Sequence, residues 1–122
     1  MSTTGERRVE DRLCYQWPVW YAEDFQGELS QGQMADVSSR AAAFTCYADD
    51  RCPNPGQHIT ARFSVPRYGA DDSFDMVDFV RSGRVCRVDG GHGALRRVVV
   101  QFAEPLPFRP ADRACPAGNE QG

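Results

Sequence analysis

Apolar and polar side chains alternate along most of this chain with the two-residue period of half-buried strands. Leu13, Tyr15, Trp17, Val19 and Tyr21 occupy alternate positions and predict a first strand, with Pro18 marking an edge or a bulge because proline cannot donate to a ladder. Residues 28–37 are weaker, since Leu29 stands alone among polar neighbours and Gly27 and Gly32 are expected turn or bulge points. Ala41 to Tyr47 predicts a short strand with Ala42, Phe44 and Cys46 facing inward. Asp49 to Gly56, containing Pro53, Asn54 and Pro55, has the chemistry of a loop. Ile59, Ala61, Phe63 and Val65 alternate cleanly, and Pro66 is expected to end that run.

Asp71 to Val80 fits two templates. Phe74 and Met76 suit a strand, whereas Ser73, Met76, Val77 and Val80 suit a helix face. The β-like continuation through Ser82, Gly83, Val85 and Val88 favours a strand with a bulge. Asp89-Gly90-Gly91-His92-Gly93 is a hairpin signal between two β-rich runs, and His92 is expected to be a solvated loop residue. Leu95 to Ala103, dense in β-branched residues, predicts the last strand. From Glu104 onward Pro105, Pro107, Pro110 and Pro116 exclude regular structure, so an extended lid is expected, with disorder over 111–122. Six strands with many turns imply an all-β fold, a small six-stranded antiparallel barrel, because closure hides the sheet edges. A flexible N-terminal arm precedes it and a proline-rich tail follows it.

Composition narrows the function. A chain of 122 residues buries about two thirds of its unfolded surface, enough for one core. The net charge of −3 argues against a general DNA or RNA binder, for which a basic stripe is expected. No stretch approaches the roughly 20 apolar residues of a membrane helix, and Met1 to Glu6 lacks the apolar centre of a signal peptide, so a cytoplasmic protein without membrane insertion is expected. The five cysteines, at 14, 46, 52, 86 and 115, have no C-x-x-C spacing; Cys14, Cys46 and Cys86 read as buried thiols rather than metal ligands or nucleophiles. No catalytic constellation emerges, and neither cofactor nor metal is expected.

The chemistry sits in two clusters. In Glu6-Arg7-Arg8-Val9-Glu10-Asp11-Arg12, the arginines at 8 and 12 are four apart. A guanidinium is permanently charged, and its rigid fork of donors suits phosphate oxygens or the O6/N7 edge of guanine. Such a pair spans about 13 Å when extended but roughly 6 Å in a turn, so the arm must curl for both to grip one small ligand. All 14 basic residues are arginine, and that excess alone makes such pairs common. The second cluster is Asp36-Val37-Ser38-Ser39-Arg40-Ala41. Asp36 can accept from a guanine N1/N2 edge beside the Ser38 hydroxyl; Asp-x-Ser is equally a turn or cap sequence, because both side chains bond nearby backbone amides.

Together the clusters resemble the signature of the PilZ domain, the bacterial receptor module for cyclic di-GMP: R-x-x-x-R in an N-terminal arm, then D/N-x-S-x-x-G after a strand. Every fixed position matches except the last, where Ala41 replaces glycine. The resemblance spans roughly residues 6–104, within a domain expected over 6–110, and supports the weak strand over 28–37. It implies a non-enzymatic receptor or adaptor in which Arg8 and Arg12 contact phosphates and guanine, Asp36 and Ser38 contact guanine, and position 41 lies beside the ligand. Arg7 resembles an extra arginine that accompanies a stacked ligand dimer in some members. Glu10 and Asp11 are expected to pair with the motif arginines in the free state. The output would be an unidentified protein partner. The competing expectation is a degenerate PilZ-like barrel that serves as a protein–protein interaction module without nucleotide.

Overall fold

The computed structural model describes residues 10–23, 27–69, 71, 73–90 and 93–112. Six strands form: β1 (Leu13–Ala22), β2 (Ser30–Val37), β3 (Ala41–Tyr47), β4 (His58–Tyr68), β5 (Phe74–Gly90) and β6 (Leu95–Phe102). They close into an all-antiparallel barrel in the order β1-β2-β3-β6-β5-β4, β1 returning to pair with β4. Residues 1–5, Arg7, Arg8 and His92, with the tail from 113, lie outside the described residues.

Alternation builds the core. Ala42, Phe44 and Cys46 of β3 and Ile59, Ala61, Phe63 and Val65 of β4 all point inward, as their spacing requires. Phe44, Phe63, Met34, Val19, Val85 and Val98 are fully buried, and Phe63 stacks on Phe102 with centroids 5.6 Å apart. Trp17, expected inside, is 43% exposed. β4 joins β1 only from Val19 onward, so the wall beside Trp17 is open.

Four expectations need correction. Pro66 does not end β4: it is buried and pairs with Met76. Beyond Phe63 β4 pairs with no β1 residue in the ladder, and an edge tolerates proline. Residues 74–82 are strand, but the 58–68 and 74–84 pairing runs without a slip, and the bulge falls at Cys86, between Val85 and Arg87 opposite β6. Gly32 is no turn; a Cβ there would stand 2.6 Å from the Thr45 carbonyl oxygen, so it permits close approach of β2 and β3. Cys14 and Cys86 are exposed rather than buried, because each sits on the outward side of its strand; Cys46 is buried.

The segment after β6 does form a lid. Leu106 and Pro110 are buried and Phe108 packs on Phe79 at 5.9 Å. Arg81 holds this strap from below, its Nε donating to the Glu104 carbonyl at 3.1 Å.

Gly83 offers a test of strand proximity. A Cβ at this position would lie 2.5 Å from the Gln101 carbonyl oxygen and 2.7 Å from a Val100 methyl carbon, whereas one at Gly90 meets nothing. Gly83→Ala should cost roughly 1–3 kcal/mol by urea denaturation. Gly90→Ala should leave the midpoint nearly unchanged; equal effects would remove close packing as the reason.

Candidate functional site on the outer barrel wall

The site begins with a slip in β2. In an unbroken strand Met34 and Asp36, two apart, share a face. Here Met34 is 1% exposed inside the core, Val37 is fully buried, and Asp36 stands between them on the outer wall. Ala35 causes this. It is the extra residue in the β2–β3 ladder, where pairing passes from Met34–Phe44 to Asp36–Ala43. On the other side, Tyr15 and Gln16 of β1 oppose the same single residue, since pairing jumps from Cys14–Asp36 to Trp17–Met34. Two bulges meeting at Ala35 thus turn a carboxylate outward that would otherwise enter the core.

Asp36 is gripped by two arginines arriving from different elements. Arg97 of β6 places Nη2 2.7 Å from Oδ2, and Arg12, just before β1, places Nη1 3.4 Å from Oδ1. The carboxylate is 13% exposed and the guanidiniums about a third, 31% and 34%. Beneath them lies Ala43, fully buried although its neighbours in the ladders, Asp36 and Val99, belong to the outer wall. Its small side chain is one same-face position from the Thr45–Arg97 pair, on the same outer wall as Asp36.

The β2–β3 connection completes the site. The Ser38 N–H donates to the Ala41 carbonyl at 2.8 Å, and its Oγ accepts the Ala41 and Arg40 N–H groups at 3.2 and 3.3 Å. Ser38 therefore shapes the turn, the role that short hydroxyl side chains play beside strand ends. Ser39 is held from both sides. Its N–H and Oγ donate to the two Glu10 carboxylate oxygens at 2.7 and 2.6 Å, and its carbonyl accepts from Leu106 N–H at 2.7 Å. Ala41 opens β3 and pairs with Gln101.

Of the residues that the sequence singles out, Arg12, Asp36, Ser38 and Ala41 lie together around this loop, while Arg7 and Arg8 lie outside the described residues. Glu10 binds Ser39, whose backbone N–H and hydroxyl form a ready two-point donor for a carboxylate, while its expected pairing with Arg8 lies outside the described residues. Sequence reasoning missed Arg97, whose place beside Asp36 depends on β6 lying next to β3. Only the alternation Arg97, Val99, Gln101, opposite the buried Val98 and Val100, could have put it on the outer wall.

The opposite end of the barrel has another character. A recess of about 410 Å³ is lined there by Tyr21, Glu23, Glu28, Asp50, Arg51 and Cys52, and its one arginine is paired to Glu28 at 2.8 Å. An anion is repelled there. Among the described residues no group of three or more His, Cys, Asp or Glu is placed to hold a metal ion. Among the described residues no helix is long and apolar enough to cross a membrane.

The fold so described is a closed six-stranded antiparallel β-barrel with an outward Arg–Asp–Arg cluster at one end. Among solved structures it is similar to the Bacillus subtilis inhibitor of motility, MotI/DgrA, with a TM-score of 0.64 and 14% identity over 83% of this chain. The match covers 44% of that protein, so this chain spans less than half its length. At that identity the likeness is one of fold, compatible with a PilZ-like barrel. No family model matches the chain, and no curated protein matches it.

The cluster's energetics can be measured. A hydrogen bond to a charged group contributes roughly 1.5–3 kcal/mol, and a half-buried charge that loses its partner keeps its desolvation cost. Arg97→Ala and Asp36→Ala should each lower stability by about 1–3 kcal/mol, and the double variant by clearly less than their sum. Additive losses would show that the 2.7 Å contact carries no coupling.

Proposed function

We propose that this chain is a non-enzymatic receptor for cyclic di-GMP, acting in the bacterial cytoplasm and passing its signal to a protein partner. The observation that supports the reading most is the convergence of Arg12 and Arg97 on Asp36 directly below the Glu10–Ser39 tether. Two guanidiniums supply donors for phosphate oxygens, and the carboxylate between them can accept from a guanine N1/N2 edge. Arg8, four residues before Arg12, would join once the arm closes, and Arg7 would extend the cationic face to a second nucleotide. Ser38 acts by holding the turn that follows Asp36, and Ala41 leaves the adjoining wall low. A ligand that takes Arg12 from Asp36 gives the arm a different set of contacts, and that differential contact is what shifts its position.

A second reading is favoured by Ala41 in the glycine position and by the internal use of every group in the cluster: the barrel is an interaction module without nucleotide. Calorimetric titration with cyclic di-GMP, using GTP and cyclic AMP as controls, separates the two. Selective binding at micromolar or tighter affinity supports the receptor, and no heat with no change in melting temperature supports the module.

Charge and base reading give separate signatures in the receptor. Arg12→Ala should weaken cyclic di-GMP binding roughly ten- to hundredfold, and binding of the parent should weaken as salt rises. Asp36→Ala should lower affinity and also erode the preference for cyclic di-GMP over cyclic di-AMP. Lost affinity with the preference intact would assign Asp36 to the turn alone.

A further inference from the structure

The double bulge at Ala35 does more than turn Asp36 outward. Where the β1 and β2 ladders skip, between Cys14–Asp36 and Trp17–Met34, the wall opens into a recess of about 310 Å³. Buried Met34 and half-buried Ala35 line it together with Tyr15, and its polar lining comes from Gln16, Gln33 and Thr45. Cys14, which pairs with Asp36 across the ladder, is also part of the lining. Thr45 lies opposite both Gln33 and Arg97, so the recess and the Arg–Asp–Arg cluster adjoin on one wall.

We propose that this recess is a purine-base subsite, one that takes a single base of the cyclic dinucleotide while Arg12 and Arg97 hold its phosphates. The inference rests on the receptor reading above and adds where the base lies. Its volume is at the lower end of the roughly 300–1,000 Å³ of small-molecule pockets, too small for the whole dinucleotide and ample for one ring system. Its composition is that of a base site: an aromatic ring, an apolar floor, and amide and hydroxyl groups able to match a purine's mixed donors and acceptors. Tyr15 bounds the recess on its inner side, its ring packed against the core and its hydroxyl held by the Ser64 carbonyl at 2.8 Å. The acidic recess at the far end repels phosphate.

Cys14 makes the subsite directly observable. It is exposed within the recess, whereas Cys86 is exposed on β5, two strands away through β4, and Cys46 is buried with its pKa pushed up to about 11 by desolvation. Alkylation of the full chain by iodoacetamide, followed by peptide mass spectrometry, reports each thiol separately. Saturating cyclic di-GMP should slow Cys14 at least tenfold and leave Cys86 unchanged. Thr45→Trp, which fills the recess from its half-exposed rim, should weaken cyclic di-GMP binding more than tenfold with the melting transition retained. If calorimetry shows cyclic di-GMP bound while Cys14 reacts at its free rate, or if Thr45→Trp binds like the parent, the subsite is wrong and the receptor reading stands. If cyclic di-GMP gives neither heat nor protection, both fall together.

Discussion

The arrangement of this wall depends on one extra residue. A closed barrel demands strict alternation, because each strand is buried on one side only, and a slip of one position exchanges core for surface. At Ala35 that slip is used locally, and both ladders of β2 absorb it at the same point. Met34 and Val37 stay in the core three residues apart, while Asp36 leaves it. Without the bulge either the carboxylate would be buried among aromatic rings, at a cost of several kcal/mol, with the valine outside, or the methionine would be lost to solvent. The bulges also leave the unpaired opening beside Asp36, so the carboxylate and the recess have a single structural origin.

The charges around Asp36 are better understood as placement than as stability. An ion pair near the surface returns little net free energy, since desolvation offsets most of the Coulomb gain. What the geometry does secure is direction: Arg97 approaches from β6, Arg12 from the arm, and the carboxylate is pinned between them above Ala43. Glu10 adds a second tether to the arm through Ser39, and Leu106 fastens the same residue to the strap. Arm, loop and strap therefore meet at Ser39. A backbone with free N–H and C=O groups at a barrel end needs such partners, and each is supplied by a segment distant in sequence.

How far this was legible follows from the range of each interaction. The barrel was readable because alternation is local: Ile59 to Val65 and Ala42 to Cys46 state their inward faces outright. The turn at Ser38 was readable as one of two meanings of Asp-x-Ser, and the backbone meaning is visible in its bonds to Arg40 and Ala41. The bulge had a signal that went unused. Met34 and Val37 are the apolar residues of the second half of β2, and a spacing of three cannot keep both on one face of a regular strand. Given that both must be inside, one residue between them has to be extra, and Ala is the small residue that fits. Arg97 had no such local mark. Its meeting with Asp36 spans 61 positions and is decided by β6 lying next to β3, a choice of topology made by the whole hydrophobic pattern and by no residue near either partner.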